Sequence, residues 1–226
     1  MFRKNLVVIM LLMFAMMANA QQVKIGAVAG YNINSPSGEN GQSSHSGFDV
    51  GVKAELGLSS ISKGWYADFG MLLSLKGTKS DGNYYPNPNR ASGRADVGEG
   101  DIATSYKLNY NSYWLTIPLH IGYKFEVSDN LRLFVNGGPY MGIGLFGKLK
   151  GTSVPEHTKT TLSDNVYGDD FVNRFDWGIG GKIGAEFARH YQVAIGYDHG
   201  IKSLKTDKNP IDRKNRTFNI SLAYMF

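Results

Sequence analysis

Asp198, His199 and Ser203 are the residues of this sequence whose types come closest to a catalytic set. A histidine paired with a carboxylate can act as a general base, and a nearby serine can then serve as a nucleophile. The alternation of side chains around them predicts a strand, in which adjacent side chains point to opposite faces. Asp198 and His199 therefore cannot easily form a dyad, and we predict no catalytic residue and no enzymatic activity.

The other four histidines do not suggest a metal centre. His45 and His157 lie in polar stretches and His190 lies in a predicted turn, and none has a partner at the spacing of known metal ligands. His120 is expected to face the interior of the protein, in a structural role. The chain contains no cysteine, which excludes thiolate ligands and a cysteine nucleophile. We predict neither a metal nor a cofactor.

Three acidic residues of one polar stretch, Asp164, Asp169 and Asp170, offer oxygen ligands for a divalent ion. Their spacing matches no defined calcium-binding loop, so ordinary loop acidity is the prediction.

Basic residues crowd the last polar stretch before the end of the chain. They are Lys202, Lys205, Lys208, Arg213, Lys214 and Arg216. At the rim of a membrane protein such a group would contact the phosphates of lipopolysaccharide through charge-assisted hydrogen bonds. A charged, solvated loop is the alternative.

The elements that would position these residues are strands, and the last one has the clearest pattern. Phe218, Ile220, Leu222, Tyr224 and Phe226 share one face, whereas small and polar residues occupy the other. Seven further segments have the same design. The predicted strands are 23–33, 48–58, 65–76, 113–125, 131–149, 175–187, 191–201 and 216–226.

The lengths of the connections decide the architecture. Long polar connections (34–46, 77–105, 151–170 and 203–215) alternate strictly with short ones (59–63, 127–130 and 188–190). This alternation is typical of outer-membrane barrels, which have short periplasmic turns, longer outside loops and both termini in the periplasm. We therefore predict an all-β, eight-stranded antiparallel transmembrane up-and-down β-barrel in the outer membrane.

The first twenty residues predict export. Arg3 and Lys4 precede an apolar run of about a dozen residues, and Ala18-Asn19-Ala20 has the small residues of a cleavage site. We predict a cleaved signal peptide over residues 1–20 and a barrel domain over residues 21–226. Removal of Arg3 and Lys4 lowers the formal charge from +5 to +3, which gives no reason to expect nucleic acid as a partner.

The face opposite the apolar one carries charge on nearly every strand, which predicts a paired network in a lumen. Its predicted members are Asp49, Lys53, Glu55, Asp68, Lys124, Arg132, Asp176, Lys182 and Glu186. Many other positions on this face are glycine, which leaves room for large side chains to fill a narrow barrel. These large side chains are Tyr66, Trp114, Phe134, Tyr140 and Phe146.

Two irregularities are expected in the fourth predicted strand. The alternation changes near Asn111 and Ser112, which indicates a bulge. Pro118 lies in the middle of the strand, where it removes a ladder donor, so we expect either a local bulge or a position that faces the lumen.

Three ordered motifs resemble PorT-like outer-membrane β-barrel proteins. The segment Tyr113-Trp-Leu-Thr-Ile-Pro-Leu-His-Ile-Gly-Tyr-Lys-Phe125 is similar to a characteristic strand of that family, and it is followed by Gly137-Gly-Pro-Tyr140 and Phe175-Asp-Trp-Gly178. The resemblance spans about residues 22–226. It implies an eight-stranded barrel in a Gram-negative outer membrane and brings no catalytic residues with it.

The function predicted from these features is that of a small, non-enzymatic integral outer-membrane protein. It would bind a partner or lipopolysaccharide through its extracellular loops, or support membrane integrity. A narrow channel for small solutes and an accessory of a secretion or gliding machine remain the alternatives. The terminal aromatic residues Tyr224 and Phe226 resemble the signal that the outer-membrane assembly machinery reads.

Overall fold

The computed structural model describes residues 22–37, 42–58, 63–84, 104–154, 159–163, 165–167, 172–206 and 212–226. The predicted signal peptide lies outside these residues. The strands are β1 (Gln22–Asn34), β2 (Gln42–Ser43), β3 (His45–Gly57), β4 (Gly64–Tyr84), β5 (Thr104–Ser128), β6 (Leu131–Val154), β7 (Lys159–Ser163), β8 (Phe175–Phe187), β9 (Tyr191–Gly200) and β10 (Arg216–Met225). Among the described residues there is no helix with the length and apolar character that crossing a membrane requires.

Eight of these strands, all except β2 and β7, form a closed antiparallel barrel. Strands β1 and β10 pair along a seam that runs from Gly26 opposite Met225 to Asn34 opposite Thr217. Each of the other wall strands pairs with the next wall strand along the chain, which completes the circle. The prediction of an eight-stranded, all-β up-and-down barrel is confirmed.

The two ends of the barrel differ in their connections. The short connections after β3, β5 and β8 lie at one end together with Gln22 and Phe226, and we call this the turn end. The longer connections lie at the opposite end, which we call the loop end. Strands β4, β5 and β6 contain 21, 25 and 24 residues, against 10 to 13 in the other wall strands, so they project beyond the loop end.

The predicted loops 77–105 and 151–170 are longer than the unpaired connections in the structure, because strand pairing continues into both of them. Pairing of β4 with β5 continues from Lys76 opposite Ser112 to Tyr84 opposite Thr104, and β7 pairs with the end of β6. These segments lack alternation because a strand that projects from a membrane needs no apolar face. Hydrophobic periodicity therefore did not reveal them.

The outer face of the wall is apolar, with aromatic side chains near both ends. Tyr31, Phe48, Phe175 and Phe218 are exposed near the loop end. The exposed aromatic residues nearer the turn end are Trp65, Phe125, Phe187, Tyr191, Tyr224 and Phe226. Phe218 and Phe226 lie about 26 Å apart along the strand, which a tilt of about 40° reduces to about 20 Å of height. This height is close to the apolar band of an outer-membrane barrel, about 25 Å.

Two predictions were wrong. Phe146 was expected to face the lumen, and the bulge near Asn111 and Ser112 was expected in the fourth predicted strand. The register shift occurs where Tyr113 faces Phe146 and Trp114 faces Gly144, so the extra residue lies in β6 and not in β5. An extra residue reverses the alternation of the strand that carries it. Phe146 therefore points outward, half exposed, with its ring centroid 4.6 Å from that of Tyr113.

Pro118 faces the lumen, which was one of the two expected outcomes. The pairs on either side of it, Phe69 with Leu119 and Leu72 with Thr116, keep one register, so the proline causes no bulge towards β4. Gly70 stands across from Pro118, and a Cβ there would lie 3.2 Å from the proline ring. A glycine neighbour thus makes room for the ring.

Candidate functional site

The turn-end half of the lumen is filled by charged side chains that contact one another directly. We call this group the ion layer, and its members are Lys53, Glu55, Asp68, Lys124, Arg132 and Glu186. Lys124 Nζ bridges Glu55 Oε2 and Glu186 Oε2, the latter at 2.6 Å. Arg132, directly opposite Glu186 on the adjacent strand, donates to Glu186 Oε1 at 3.0 Å. The sequence predicted all six as lumen residues, and the structure brings them together.

Within the ion layer, Lys53 contacts residues from both sides of the lumen. Its Nζ lies 3.1 Å from Glu55 Oε1 and 3.0 Å from Asp68 Oδ2. Gln192 accepts from Lys53 and donates from Nε2 to Glu55 and Glu186 at 2.9 and 2.8 Å. Three cations thus balance three carboxylates. Removing one partner from such a buried network would leave the remaining charges without compensation, which costs about 3 to 5 kcal/mol.

A small cavity, which we call the lumen site, lies next along the lumen towards the loop end. Its volume is about 20 Å³, and its lining includes Lys76, Lys182, Asp49, Asp198 and His120. Among the described residues neither lysine has a carboxylate oxygen within 4.0 Å, in contrast to the ion layer. Lys76 Nζ lies instead 5.4 Å from the centre of the Tyr140 ring. Charges here face a cavity and do not pair directly.

The three predicted lumen residues outside the ion layer occupy this half. Asp49 and Lys182 line the lumen site. Asp176 is buried and accepts hydrogen bonds at Oδ2 from Tyr140 Oη at 3.3 Å and from Asn215 Nδ2 at 2.8 Å. Asp176 therefore fixes the start of β8 to the segment that leads into β10.

The loop end of the lumen is covered by apolar side chains from connecting segments. We call this group the plug: Val166, Tyr167, Val172 and Leu204, packed on Trp114 of the wall. Trp114 is 1 % exposed and donates from Nε1 to Ser112 Oγ at 2.8 Å. Burial raises the pKa of Tyr167, with the neighbouring Tyr110 adding to the effect, so its hydroxyl stays neutral. Sequence reasoning missed the plug because residues 166, 167 and 172 follow no strand or helix period.

The plug docks on glycines of β6. A Cβ at Gly144 would overlap the Tyr167 ring, and one at Gly147 would lie 2.9 Å from Val166 Cγ2. Val166 N donates to Gly147 O at 3.2 Å, and Gly144 N donates to Arg174 O at 2.7 Å. The glycines of β6 were therefore the only feature of the sequence that pointed to the plug, because they leave room for large side chains.

The predicted basic residues are not gathered into one cluster. Lys202, Lys205, Lys214 and Arg216 lie at the loop-end rim, Lys214 joined to Ser37 by a backbone bridge. Arg213 is half-buried beside the plug residue Leu204, whose N donates to Arg213 O at 2.8 Å. Lys208 lies outside the described residues.

Two of these basic residues stand directly beyond the aromatic belt. Lys202 Nζ lies 5.8 Å from the centre of the Phe175 ring, and it also donates to Asn173 Oδ1 at 3.4 Å. Arg216 is exposed on the same face of β10 as Phe218. Lys202 lies beside Phe175 of β8, and Arg216 belongs to β10. Because one strand separates β8 from β10, the two basic residues stand about 10 Å apart laterally. We call Lys202 and Arg216 the rim pair.

The predicted assembly residues, Tyr224 and Phe226, lie at the turn end beside the β8–β9 turn. Met225 N donates to His190 O at 2.7 Å, and His190 Nδ1 lies 2.7 Å from Met225 O. The His190 and Tyr224 rings stack with centroids 5.6 Å apart. Phe226 N donates to Ile25 O at 2.8 Å, while the Phe226 side chain is 70 % exposed. The terminus is thus held on both sides.

The residues considered for chemistry are separated in the structure. Asp198 lines the lumen site, whereas the ring of its neighbour His199 lies 6.4 Å from the ring of outward-facing Tyr197. No group of three histidine or acidic side chains within the described residues is placed to hold a metal ion. His157, Asp164, Asp169 and Asp170 lie outside the described residues.

Comparison with protein families identifies the class of the chain. Residues 19–206 match the family described as outer membrane protein beta-barrel domain, and the chain belongs to that family. The match confirms the predicted outer-membrane barrel and its location in the outer membrane. The narrower PorT-like assignment stays a prediction. Among curated proteins, none matches the chain in sequence.

Several solved outer-membrane barrels are similar in structure. Ail of Yersinia pestis, solved with the heparin analogue sucrose octasulfate, is 14% identical over 90% of this chain and 99% of that chain, with a TM-score of 0.37. Neisserial surface protein A is 12% identical over 91% and 100%, with a TM-score of 0.43. The outer membrane enzyme PagL is 11% identical over 87% and 98%, with a TM-score of 0.34. These likenesses carry no conclusion about function.

Proposed function

We propose that this member of the outer-membrane barrel family is a non-enzymatic protein whose loop end binds the phosphate groups of lipopolysaccharide. The observation that supports the proposal is the position of the rim pair. Lys202 and Arg216 lie directly beyond the exposed rings of Phe175 and Phe218. An aromatic ring at the membrane interface places its basic neighbour at the level of the lipid head groups.

The chemistry of the rim pair suits a phosphate ligand. Arg216 offers a planar guanidinium for bidentate hydrogen bonds, and Lys202 offers a compact ammonium. Each basic side chain near an anionic membrane surface contributes about 1 kcal/mol to binding. Anchoring of lipopolysaccharide at the barrel wall is also the way in which this protein would support membrane integrity.

The proposal requires the loop end to face outward. The long connections share one end of the barrel, and outer-membrane barrels place their longer loops outside. The turn end, with both chain ends, would then face the periplasm after cleavage of residues 1–20. We expect a protease added to intact cells to cut only at the loop end.

Replacement of the rim pair tests the proposal. The K202Q/R216Q variant removes both charges and keeps hydrogen-bonding side chains. We expect its affinity for lipopolysaccharide in detergent solution to fall about thirtyfold, which corresponds to about 2 kcal/mol. K63Q is the matched control, because Lys63 is an exposed basic residue at the turn end. Equal affinities of the wild-type protein and the double variant would contradict the proposal.

A protein partner is the second candidate for the loop end. The projecting parts of β4, β5 and β6 are supported by their mutual pairing and by β2 and β7 at their margins. Such a sheet presents backbone edges to which an extended segment of another protein can add. Crosslinking on intact cells that captures no protein at this sheet would remove this candidate.

The channel alternative gains no support from the packing of the lumen. The ion layer is joined by direct contacts, and the lumen site measures about 20 Å³. We infer that this conformation does not conduct, and discrete openings in planar bilayers would contradict the inference. The role in secretion or gliding rests on the PorT-like resemblance alone and stays a prediction, which recovery of secretion components by crosslinking would support.

A further inference from the structure

A groove opens on the outer face of the wall near the turn end, where β6, β8 and β9 run side by side. Its volume is about 610 Å³, which lies within the range of about 300 to 1,000 Å³ that is usual for ligand sites. The groove exists because Ala185 contributes only a methyl group between Leu133 and Val193, its partners on the two adjacent strands. The side chains that border it on the outer face are Leu133, Ile183, Ala185, Phe187, Val193 and Ile195.

The groove faces the hydrocarbon region of the membrane. Ala185 lies two positions inside Phe187, which is one of the exposed aromatic residues of the turn end. The lining of the groove is entirely apolar. A hydrocarbon chain is therefore the occupant that its position and chemistry suit.

The same strands leave further space on the outer face beyond Ile183. Gly137 of β6 and Gly181 of β8 are paired there, one outward position further from the turn end. Within 4 Å, a Cβ at Gly181 would meet only backbone atoms of β6, the nearer at 3.1 Å, and a Cβ at Gly137 would meet only backbone atoms of β8. Packing inside the barrel does not account for these two glycines, whereas a chain that lies against the outer wall would use the space they leave.

A cation stands at the turn-end limit of the groove. Arg189 follows Phe187 by two residues, in the turn between β8 and β9, and its side chain is exposed. Among the described residues, no carboxylate oxygen lies within 4.0 Å of its guanidinium. Because aromatic side chains mark the membrane interface, a basic residue just beyond them lies at the level of the lipid phosphates.

The turn holds Arg189 in a conformation that arginine does not favour. Ala188 and Arg189 have φ values of 49° and 66°, in the left-handed region where asparagine and glycine are the usual residues of a tight hairpin turn. Ala188 N donates to Asn130 O of the neighbouring turn at 2.8 Å. Lys24 Nζ donates to Arg189 O, also at 2.8 Å. The turn is thus fixed, and a binding role for the arginine side chain would explain why it occupies a strained position.

We propose that the groove binds an acyl chain of a phospholipid with a negatively charged head group, and that Arg189 contacts the phosphate of this lipid. The chain would lie along β8 from Phe187 to Gly181, over about 20 Å. This lipid belongs to the membrane leaflet at the turn end, whereas the rim pair lies at the loop end. Assignment of that leaflet to the periplasmic side rests on the proposed orientation, but the lipid site itself does not.

Titration of the protein in detergent with dioleoyl phosphatidylglycerol tests the groove, and native mass spectrometry counts the bound lipids. We expect A185L, which fills the groove, to weaken binding about tenfold, the loss expected when about two methylene groups of the chain lose their contacts. A29L is the matched control and should bind as the wild-type protein does. Ala29 is an exposed alanine on the outer face of β1, which does not border the groove.

The R189G variant tests the head-group contact separately from the chain. We expect the wild-type protein to prefer phosphatidylglycerol about fivefold over zwitterionic phosphatidylcholine, and R189G to lose this preference. A185L should weaken the binding of both lipids and keep the preference. Because glycine adopts the left-handed conformation without strain, R189G should not unfold at a lower urea concentration than the wild-type protein.

Equal affinities of A185L and A29L for phosphatidylglycerol would overturn the groove as the lipid site. An R189G variant that keeps the preference for phosphatidylglycerol would overturn the head-group contact. A dimer that A185L dissociates would assign the groove to a second copy of the chain and would likewise overturn the proposal. If A185L does not fold, A185V replaces it, because valine fills part of the same space. All of these variants leave the rim pair unchanged, so their results do not depend on lipopolysaccharide binding.

Discussion

The turn-end half of the lumen is held by direct ion pairs, whereas the loop-end half combines a polar cavity with an apolar plug. In the first half, Lys124 reaches Glu55 and Glu186, and Arg132 reaches Glu186. In the second, Lys76 and Lys182 line a cavity, and Tyr167 packs on Trp114 with the other plug residues. One half is therefore built from the wall alone and the other from the wall and its loops.

The two halves of the lumen should therefore differ in how much each contributes to stability. A network of direct contacts from five strands resists opening, because each charge loses its partners when it moves. The plug, in contrast, comes from connecting segments that take no part in the pairing of the wall strands. The following variants test that contrast in order of expected effect.

The largest effect is expected for K124M in the ion layer. The variant leaves Glu55 and Glu186 buried without their shared cation, which should lower the free energy of unfolding by about 3 to 5 kcal/mol. K182M in the lumen site should cost about 1 kcal/mol or less, because Lys182 has no carboxylate partner within 4.0 Å among the described residues. Urea unfolding in lipid vesicles measures both, and equal losses would remove the contrast.

The next effect is expected where the plug rests on the wall. G144A places a methyl group against the Tyr167 ring and should cost about 1 to 3 kcal/mol. In a Y167A background the same change should cost much less, because the ring is gone. A double-mutant cycle measured by urea unfolding gives the coupling directly. A coupling of zero would mean that Tyr167 does not rest on Gly144.

A smaller effect is expected at the seam of the turn end. H190A removes the side-chain hydrogen bond to Met225 O and the stacking on Tyr224, and it should cost about 1 kcal/mol. H199A serves as the control, since His199 lies near the loop end on the outer face. Thermal unfolding followed by the electrophoretic mobility of the folded form compares them. A similar loss in H199A would show that the seam is not specially held.

The smallest effect on stability is expected for deletion of Phe226. Its side chain is 70 % exposed, so folding into detergent should change by less than about 1 kcal/mol. Insertion into the outer membrane of cells should fall much more, if Phe226 belongs to the signal that the assembly machinery reads. Equal losses in detergent folding and in cellular insertion would contradict that role.

The fold could be predicted because its pattern is local. Alternation with period two gave all eight wall strands, and the strict alternation of connection lengths gave their arrangement. The projecting parts of β4, β5 and β6 could not be found in this way, since outside the membrane neither face needs to be apolar. Phe146 was misplaced because one extra residue in β6 reverses the alternation, and no local signal marks that residue.

The sequence allowed more to be predicted about one half of the lumen than about the other. Charged residues at alternate strand positions, such as Lys124 and Glu186, could be assigned to the interior without knowing their partners. The plug could not be predicted, because Val166, Tyr167 and Leu204 come from connections that the topology alone does not direct into the barrel. The rim pair could be nominated by charge, but its position beyond Phe175 and Phe218 required the structure.

The most direct test of the proposed function compares lipopolysaccharide before and after enzymatic removal of its phosphates. If the rim pair binds phosphate, the affinity of the wild-type protein should fall about thirtyfold on dephosphorylation, while the already weak K202Q/R216Q variant should change little. Equal affinity of the wild-type protein for both forms of lipopolysaccharide would contradict the account.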